Sequence, residues 1–358
     1  MDLRYGTNPH QRPARAEPVR PDGWPLRVLA GEPSYVNLLD ALNGWQLVRE
    51  ASAALGRPAA SSFKHVSPAG VAVAGPIDDV IAADHRVSAV GDLTSAYLRA
   101  RDADPKSSYG DFVAVSHPVD AELAELLRGL TCDGIIAPDF APGTVRTLAA
   151  KKSGHFLVLK SDPEFVPPEF SSREVFGLRL TEPRDSYPLT AEMFADVSES
   201  AAADLLLGLI ALRYTQSNSV AYVRDGAAIG IGAGQQSRVD CTRLAGEKAA
   251  TWWLRRHPAV RDLELPGSMR RQDRINARLD FLAALPTADR ADWLAGLDGV
   301  SFVSDGALPF RDNVDEAAQY GVRHIAEPGG SIRGADVERA CAEHGITLTR
   351  TDVRLFHH

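Results

Sequence analysis

Lysine is scarce in this chain. Only six of the 39 basic residues are lysines (Lys64, Lys106, Lys151, Lys152, Lys160 and Lys248), so a lysine inside an irregular loop stands out. Cysteine is scarcer still. Cys132, Cys241 and Cys341 are widely spaced and form no CxxC pair, so neither a thiol zinc site nor a disulfide framework is indicated. None of the 10 histidines is followed two positions later by glutamate, so the zinc-deaminase signature is missing and no zinc is expected. No stretch approaches ~18 uninterrupted apolar residues, which excludes a helical membrane span. The start, Met1-Asp2-Leu3-Arg4-Tyr5, lacks the apolar core of a signal peptide, so the expected compartment is cytoplasmic. Positive charge is in deficit: 39 Lys+Arg against 47 Asp+Glu leaves −8, a poor match to a phosphate backbone, and no nucleic-acid partner is expected.

What is present is ordinary globular material, 44% hydrophobic and 24% charged. At roughly 150 residues per domain, the length predicts two domains. A helix is expected from Asn37, read as its N-cap, to the stop at Gly56-Arg57-Pro58. A strand follows over 59–63. Further helices are expected at 77–90, 120–130 and 144–152, with strands at 111–115, 133–137 and 155–160. Prolines 163, 167, 168, 183 and 188 break the pattern between 161 and 198. An apolar helix at 201–212, a hairpin turning at Asp225-Gly226 and a long helix from Cys241 to about Arg256 come next. This alternation predicts α/β layers. Val115-Ser116 to Ile136-Ala137-Pro138 echoes Val303-Ser304 to Ile325-Ala326 and Pro328, as a duplicated unit would. The expected division is a first unit with an N-terminal arm over 1–165, a connecting segment over 166–199 and a second unit over 200–358.

Four segments have residues suited to chemistry. In Ser61-Ser62-Phe63-Lys64-His65-Val66-Ser67-Pro68-Ala69-Gly70, a strand ends at a cationic pair before an expected Ser-Pro-Ala-Gly turn. A histidine works as a general base near neutral pH, and a lysine beside it stabilises an oxyanion. Spacing alone favours the plainer reading, a solvated lysine and a hydrogen-bonded histidine. The run Ile229 to Arg238 is dense in glycine, yet Gln235 stands where a dinucleotide fingerprint needs glycine; a ligand loop and a bulged strand end stay open. Tyr214 to Ser219 is a polar run between apolar elements and suits capping, a ligand or a cation. Arg4 to Gln11 combines a cation, an aromatic ring and a histidine, in an anion-binding arm or a frayed terminus. The final His357-His358 is too short for a tag.

Taken together, RYGTNPHQ, NLLDALNGWQLV, SFKHVSPAG, SSYGDFVAVS, CDGIIAP, YTQSNSV, IGIGAGQQSR, CTRLAGEKA, PFRDNVD and RLFHH stand in one family's order. The chain resembles the formyltransferase domain of the bifunctional AICAR transformylase/IMP cyclohydrolase, over essentially its whole length. The resemblance implies two tandem cytidine-deaminase-like α/β units without the zinc site, active sites at a homodimer interface, and formyl transfer from 10-formyltetrahydrofolate to the 5-amino group of AICAR. It assigns His65 as proton acceptor, Lys64 as transition-state stabiliser and Asn218 to the shared site. It places Arg4, Tyr5, His10, Gly110, Asp133 and Arg354 on the ribotide side, and Arg238, Val239, Asp312, Asn313, Ser331 and Ile332 on the folate side. It extends to a potassium ion near Thr215, Ser217, Ser219 and Asp305.

Departures from the family accompany these matches. The RYG motif begins three residues after Met1, so no cyclohydrolase is expected and a separate ring-closing enzyme is. The stretch between Ala74 and Ser95 is short. Pro105-Lys106 replaces a common Arg-Met, and Ala307 replaces an aromatic. They keep open a related aminoimidazole or amine as acceptor, and a non-catalytic folate- or ribotide-binding regulator. Trp252-Trp253, too apolar to leave in water, is expected at the contact between two copies.

Overall fold

A computed structural model describes residues 1–20 and 23–358. Its centre is a mixed sheet of 11 strands. In chain order they are β1 (Leu26–Ala30), β2 (Ala59–Lys64), β3 (Ser67–Val73), β4 (Asp111–Val115), β5 (Cys132–Ala137), β6 (Leu157–Ser161), β7 (Val220–Arg224), β8 (Ala227–Gly232), β9 (Val300–Ser304), β10 (Val322–Glu327) and β11 (Thr347–Arg350). Across the sheet the order is β11-β10-β9-β7-β8-β3-β2-β4-β5-β6-β1. The hairpin β2–β3 continues through antiparallel β4 to parallel β5 and β6. The hairpin β7–β8 continues in the same way through β9 to β10 and β11. The two runs meet where Ala227 of β8 pairs with Ala72 of β3. The echo read from the sequence corresponds to the matching β4–helix–β5 and β9–helix–β10 units.

Strand residues alternate between two cores, as a period of two requires. Phe112, Ala114, Ile136, Ala221, Val223 and Val303 face one side, where the helices Tyr35–Leu55 and Glu199–Arg213 build one cluster spanning both runs. On the other side, Val113, Val115 and Ile135 pack under the first run's helices, and Tyr222, Ile229 and Phe302 under the second's. At ~1.5–3 kcal/mol for each fully buried large apolar side chain, the shared cluster is a main source of cohesion between the runs.

Several expectations need correction. Ser34, not Asn37, caps the first helix: its hydroxyl accepts from the Asn37 amide, and the Asn37 side chain reciprocates at the Ser34 amide. The Ser67-Pro68-Ala69-Gly70 stretch is strand β3, and the chain reverses at His65-Val66, both left-handed. The expected 77–90 helix spans only Asp79–His85, and a second helix, Asp92–Asp102, follows. The connecting segment contains an exposed two-stranded ribbon, Phe170–Val175 with Leu178–Pro183. The tryptophan pair carries no argument for a dimer. Trp253 stacks on Trp293 at 5.9 Å and donates to its carbonyl at 2.8 Å, while the Arg256 guanidinium covers Trp252 at 3.7 Å. No helix among the described residues is long and apolar enough to cross a membrane.

Candidate active site

Strand direction gathers the sequence-derived candidates on one edge of the sheet. Lys64 ends β2 opposite Ser67, and Phe63 pairs with Phe112 near the start of β4. Asp111 pairs with Cys132, so Gly110 and Asp133 lie at that same edge. Val220 pairs with both Gly232 and Ser304, which brings Asn218, the Gly234–Gln236 loop and Asp305 there too. The arm joins the same edge: the Arg4 amide donates to the Pro33 carbonyl, and the Tyr35 amide to the Tyr5 carbonyl.

Lys64 and His65 occupy the tip of the β2–β3 hairpin. His65 is exposed and has φ of 54°; Val66 has φ of 63°. Two consecutive non-glycine residues in this region are unfavourable and need an external hold. Asp40, reaching across from the Tyr35–Leu55 helix, supplies it by accepting the Val66 amide at 2.7 Å. Burial pushes the Asp40 carboxyl up to about 6, against the lowering effects of the Val66 amide and the nearby His65. The Lys64 ammonium donates to the Tyr109 carbonyl at 2.6 Å, which ties the hairpin tip to the loop before Gly110. Asp133 pairs with Lys152.

The second run closes on this tip. The Gln216 amide reaches the Ser67 hydroxyl at 3.5 Å, and the Gly234 amide donates to the Gln216 carbonyl at 2.7 Å. Asn218 donates to the Gln236 carbonyl at 3.0 Å and accepts from Arg238 at 2.7 Å. Arg238 is buried; it also pairs with Asp305 at 2.6 Å and bonds Ser304 at 2.9 Å. The glycines of β8 serve packing: a Cβ on Gly230 would sit 2.2 Å from the Ala245 carbonyl oxygen, and one on Gly232 2.6 Å from that of Cys241. The C-terminal segment is knotted in, with the Leu355 amide on the Asp305 carbonyl and the Ser217 amide on the His357 carbonyl, both at 2.9 Å. Arg354 is exposed, its guanidinium 4.6 Å from the Phe356 ring centre.

The residues named for a potassium ion already make hydrogen bonds within the chain. The Asp305 carboxylate accepts from the Ser217 hydroxyl, from the Ser219 amide and hydroxyl at 3.0 Å, and from Arg238, while the Thr215 hydroxyl is spent on the Ala211 carbonyl. Arg238 pairs with the only carboxylate in that set.

The remaining folate-side candidates, apart from Val239 next to Arg238, lie farther along the edge. Asn313 is buried, its side chain bonded to Thr242 and to the Phe310 carbonyl. Asp312 and Ile332 are exposed, Val239 is half-buried, and Ser331 contacts the Pro309 carbonyl. From β2 to β9 and β10 is four to five strand positions, roughly 19–24 Å at ~4.8 Å each. Within one chain these residues do not converge on Lys64. Sequence reasoning missed Asp40, whose only signal is a carboxylate inside the apolar run Leu38-Leu39-Asp40-Ala41-Leu42, and Lys152.

A mixed α/β sheet with Lys64, His65 and Asn218 on one edge defines a class of enzyme from purine biosynthesis once relatives are considered. The family described as the AICARFT/IMPCHase bienzyme matches residues 1–248. The bifunctional purine biosynthesis protein PurH of Magnetococcus marinus is 30% identical over 371 aligned positions, covering 99% of this chain and 59% of that protein. The chain belongs to this family, as an AICAR transformylase domain of the PurH type. It spans about three-fifths of the length of that relative.

Proposed function

We propose that this chain moves a formyl group from 10-formyltetrahydrofolate to the 5-amino group of AICAR, giving formyl-AICAR and tetrahydrofolate, without closing the purine ring. The observation that supports this most is the Lys64–His65 tip, held in left-handed backbone by Asp40 on the same edge as Asn218, Gly110 and Asp133. The acceptor amine is conjugated with a carboxamide-bearing imidazole and is a weak nucleophile, so it must lose a proton as it attacks. His65 takes that proton. The Lys64 ammonium stabilises the oxyanion that develops on the formyl oxygen as the amine adds to the formyl carbon. The bond from that carbon to the donor nitrogen then breaks, and the donor nitrogen leaves with a proton. Arg4, Tyr5, His10 and Arg354 hold the ribotide, and a second copy of the chain supplies the folate side. In this reading each run is a cytidine-deaminase-like unit that keeps the scaffold and lacks the metal.

Incubation with 10-formyltetrahydrofolate and AICAR, following tetrahydrofolate, tests the reading. His65→Ala and Lys64→Ala are expected to lower turnover by ~10²–10⁴-fold with a much smaller change in ribotide affinity. Near-normal turnover in either variant removes the role given to that residue. IMP formed by the protein alone above the spontaneous rate refutes the lack of ring closure. A second reading keeps the chemistry and changes the acceptor to a related aminoimidazole; Pro105-Lys106 and Ala307 favour it, and transfer to such an amine with none to AICAR selects it.

A further inference from the structure

A cavity of about 790 Å³ lies next to the catalytic edge, between the Arg86 turn, the Lys106–Tyr109 loop and the start of the Arg271–Ala284 helix. Six of its lining residues are cationic and one, Asp273, is acidic, although the whole chain has a net charge of −8. Two of the six are neutralised: Arg101 by Asp111 at 2.7 Å and Arg270 by Asp273 at 2.9 Å. The other four have no carboxylate partner among the described residues. Arg86 donates to the Gly267 carbonyl at 2.7 Å, Arg271 to that of Gly129 at 3.1 Å and Arg274 to that of Asp84 at 2.9 Å, while Lys106 is exposed at the wall. Burial, and then the neighbouring guanidiniums, hold Arg271 and Arg274 below the ordinary arginine value. No side chain caps the helix whose first turn lines the same space. Arg274 is buried and Arg271 half-buried, with only Asp84 near enough to offset them, and an anion in the cavity relieves the repulsion among these cations.

We propose that this cavity binds a multiply charged oxyanion, a phosphoryl or carboxylate group of a small molecule. Planar guanidinium forks match either group, and Lys106 adds a point charge at the wall. The volume exceeds that of a single phosphate, which leaves room for further ligand atoms. Tyr109 lines the cavity and receives Lys64 through its carbonyl, so the occupant sits beside the hairpin tip. The site stands whether or not the chain transfers formyl groups.

Calorimetric titration and thermal unfolding with pyrophosphate and with citrate test it without any turnover assay. Both probes are expected to bind, to compete with each other and to raise Tm. Preference for pyrophosphate assigns the cavity to a phosphoryl group, and preference for citrate to a carboxylate one. Lys106→Met and Arg86→Asn, the latter keeping a residue that tolerates the left-handed φ of 56°, should each weaken the better probe about tenfold. Lys106→Met should match or exceed the wild type in Tm without ligand, since it removes a repelling charge, whereas Arg86→Asn also loses the bond to the Gly267 carbonyl. Binding of neither probe, or binding unchanged in both variants, overturns the proposal.

Discussion

Asp40 shows how one side chain couples stability to function. Its carboxylate is 7% exposed and its pKa is raised from 3.8 to about 6, so the folded chain holds a proton there that the unfolded chain releases. The sign follows: above pH 6 the buried charge opposes folding, and the penalty disappears as pH falls from 6 to below about 4. Asp40→Asn keeps an acceptor for the Val66 amide and removes the charge. We expect it to stabilise the fold at pH 7 to 8 by up to about 3 kcal/mol, a gain that vanishes near pH 4 in unfolding experiments across that range. We also expect turnover to fall, because the carboxylate no longer supports the positive charge that His65 acquires. A variant both more stable and fully active would show that Asp40 is only a structural anchor.

At the scale of elements, glycines set how closely helices approach the two central hairpins. A Cβ on Gly70 of β3 would lie 2.0 Å from the Ala100 carbonyl oxygen of the Asp92–Asp102 helix, and Gly230 of β8 meets the Arg238–Leu254 helix at 2.2 Å. Gly230→Ala must push backbone, not a flexible side chain, and is expected to cost ~1–3 kcal/mol or more in denaturant midpoints. No change in midpoint would mean the helix has slack. These contacts also explain what the sequence hid. Alternating apolar strands and the Asp225-Gly226 turn were legible because local pattern determines them. The Asp92–Asp102 helix was not, because Thr94, Ser95, Arg99, Arg101 and Asp102 are buried beside its apolar residues and no stripe stands out. The reversal at His65-Val66 was misplaced because residues suited to turns follow it, while the hold comes from Asp40 on another element. Lys64, His65 and Asn218 were legible through family motifs, whereas the internal pairing of Arg238 with Asp305 was not.

At the scale of the molecule, helices from both runs are tied by buried charge. Arg255, 2% exposed, bonds Asp84 at 2.7 Å and Asp102 at 2.6 Å. Although burial raises Asp102, Arg255 and Arg256 hold it down at about 2, so its contribution is complete above about pH 4 and lost as pH falls through 2. Arg255→Ala leaves these carboxylates short of a partner and should cost ~3–5 kcal/mol at neutral pH, measured by chemical unfolding. A loss below about 1 kcal/mol would mean that Arg256, paired with Asp102, and Arg278, paired with Asp84, suffice. The four to five strand positions between Lys64 and the folate-side residues beyond β9 and β10, roughly 19–24 Å at ~4.8 Å each, make a second test. Mixing inactive Lys64→Ala with inactive Asp312→Ala should restore up to roughly a quarter of wild-type turnover if two copies complete each site, since half the pairs are mixed and each has one intact site. No recovery after verified subunit exchange would place the folate elsewhere. The exposed ribbon at 170–183 has a different consequence. Its Phe176 is fully exposed, so a protease should nick the chain there first. The two fragments would remain together after the nick, because the β3–β8 seam and the cluster beneath both helices span the cut. Gel filtration of nicked protein should therefore give one undivided peak that splits only in denaturant, and separately expressed fragments should reassemble as a split enzyme.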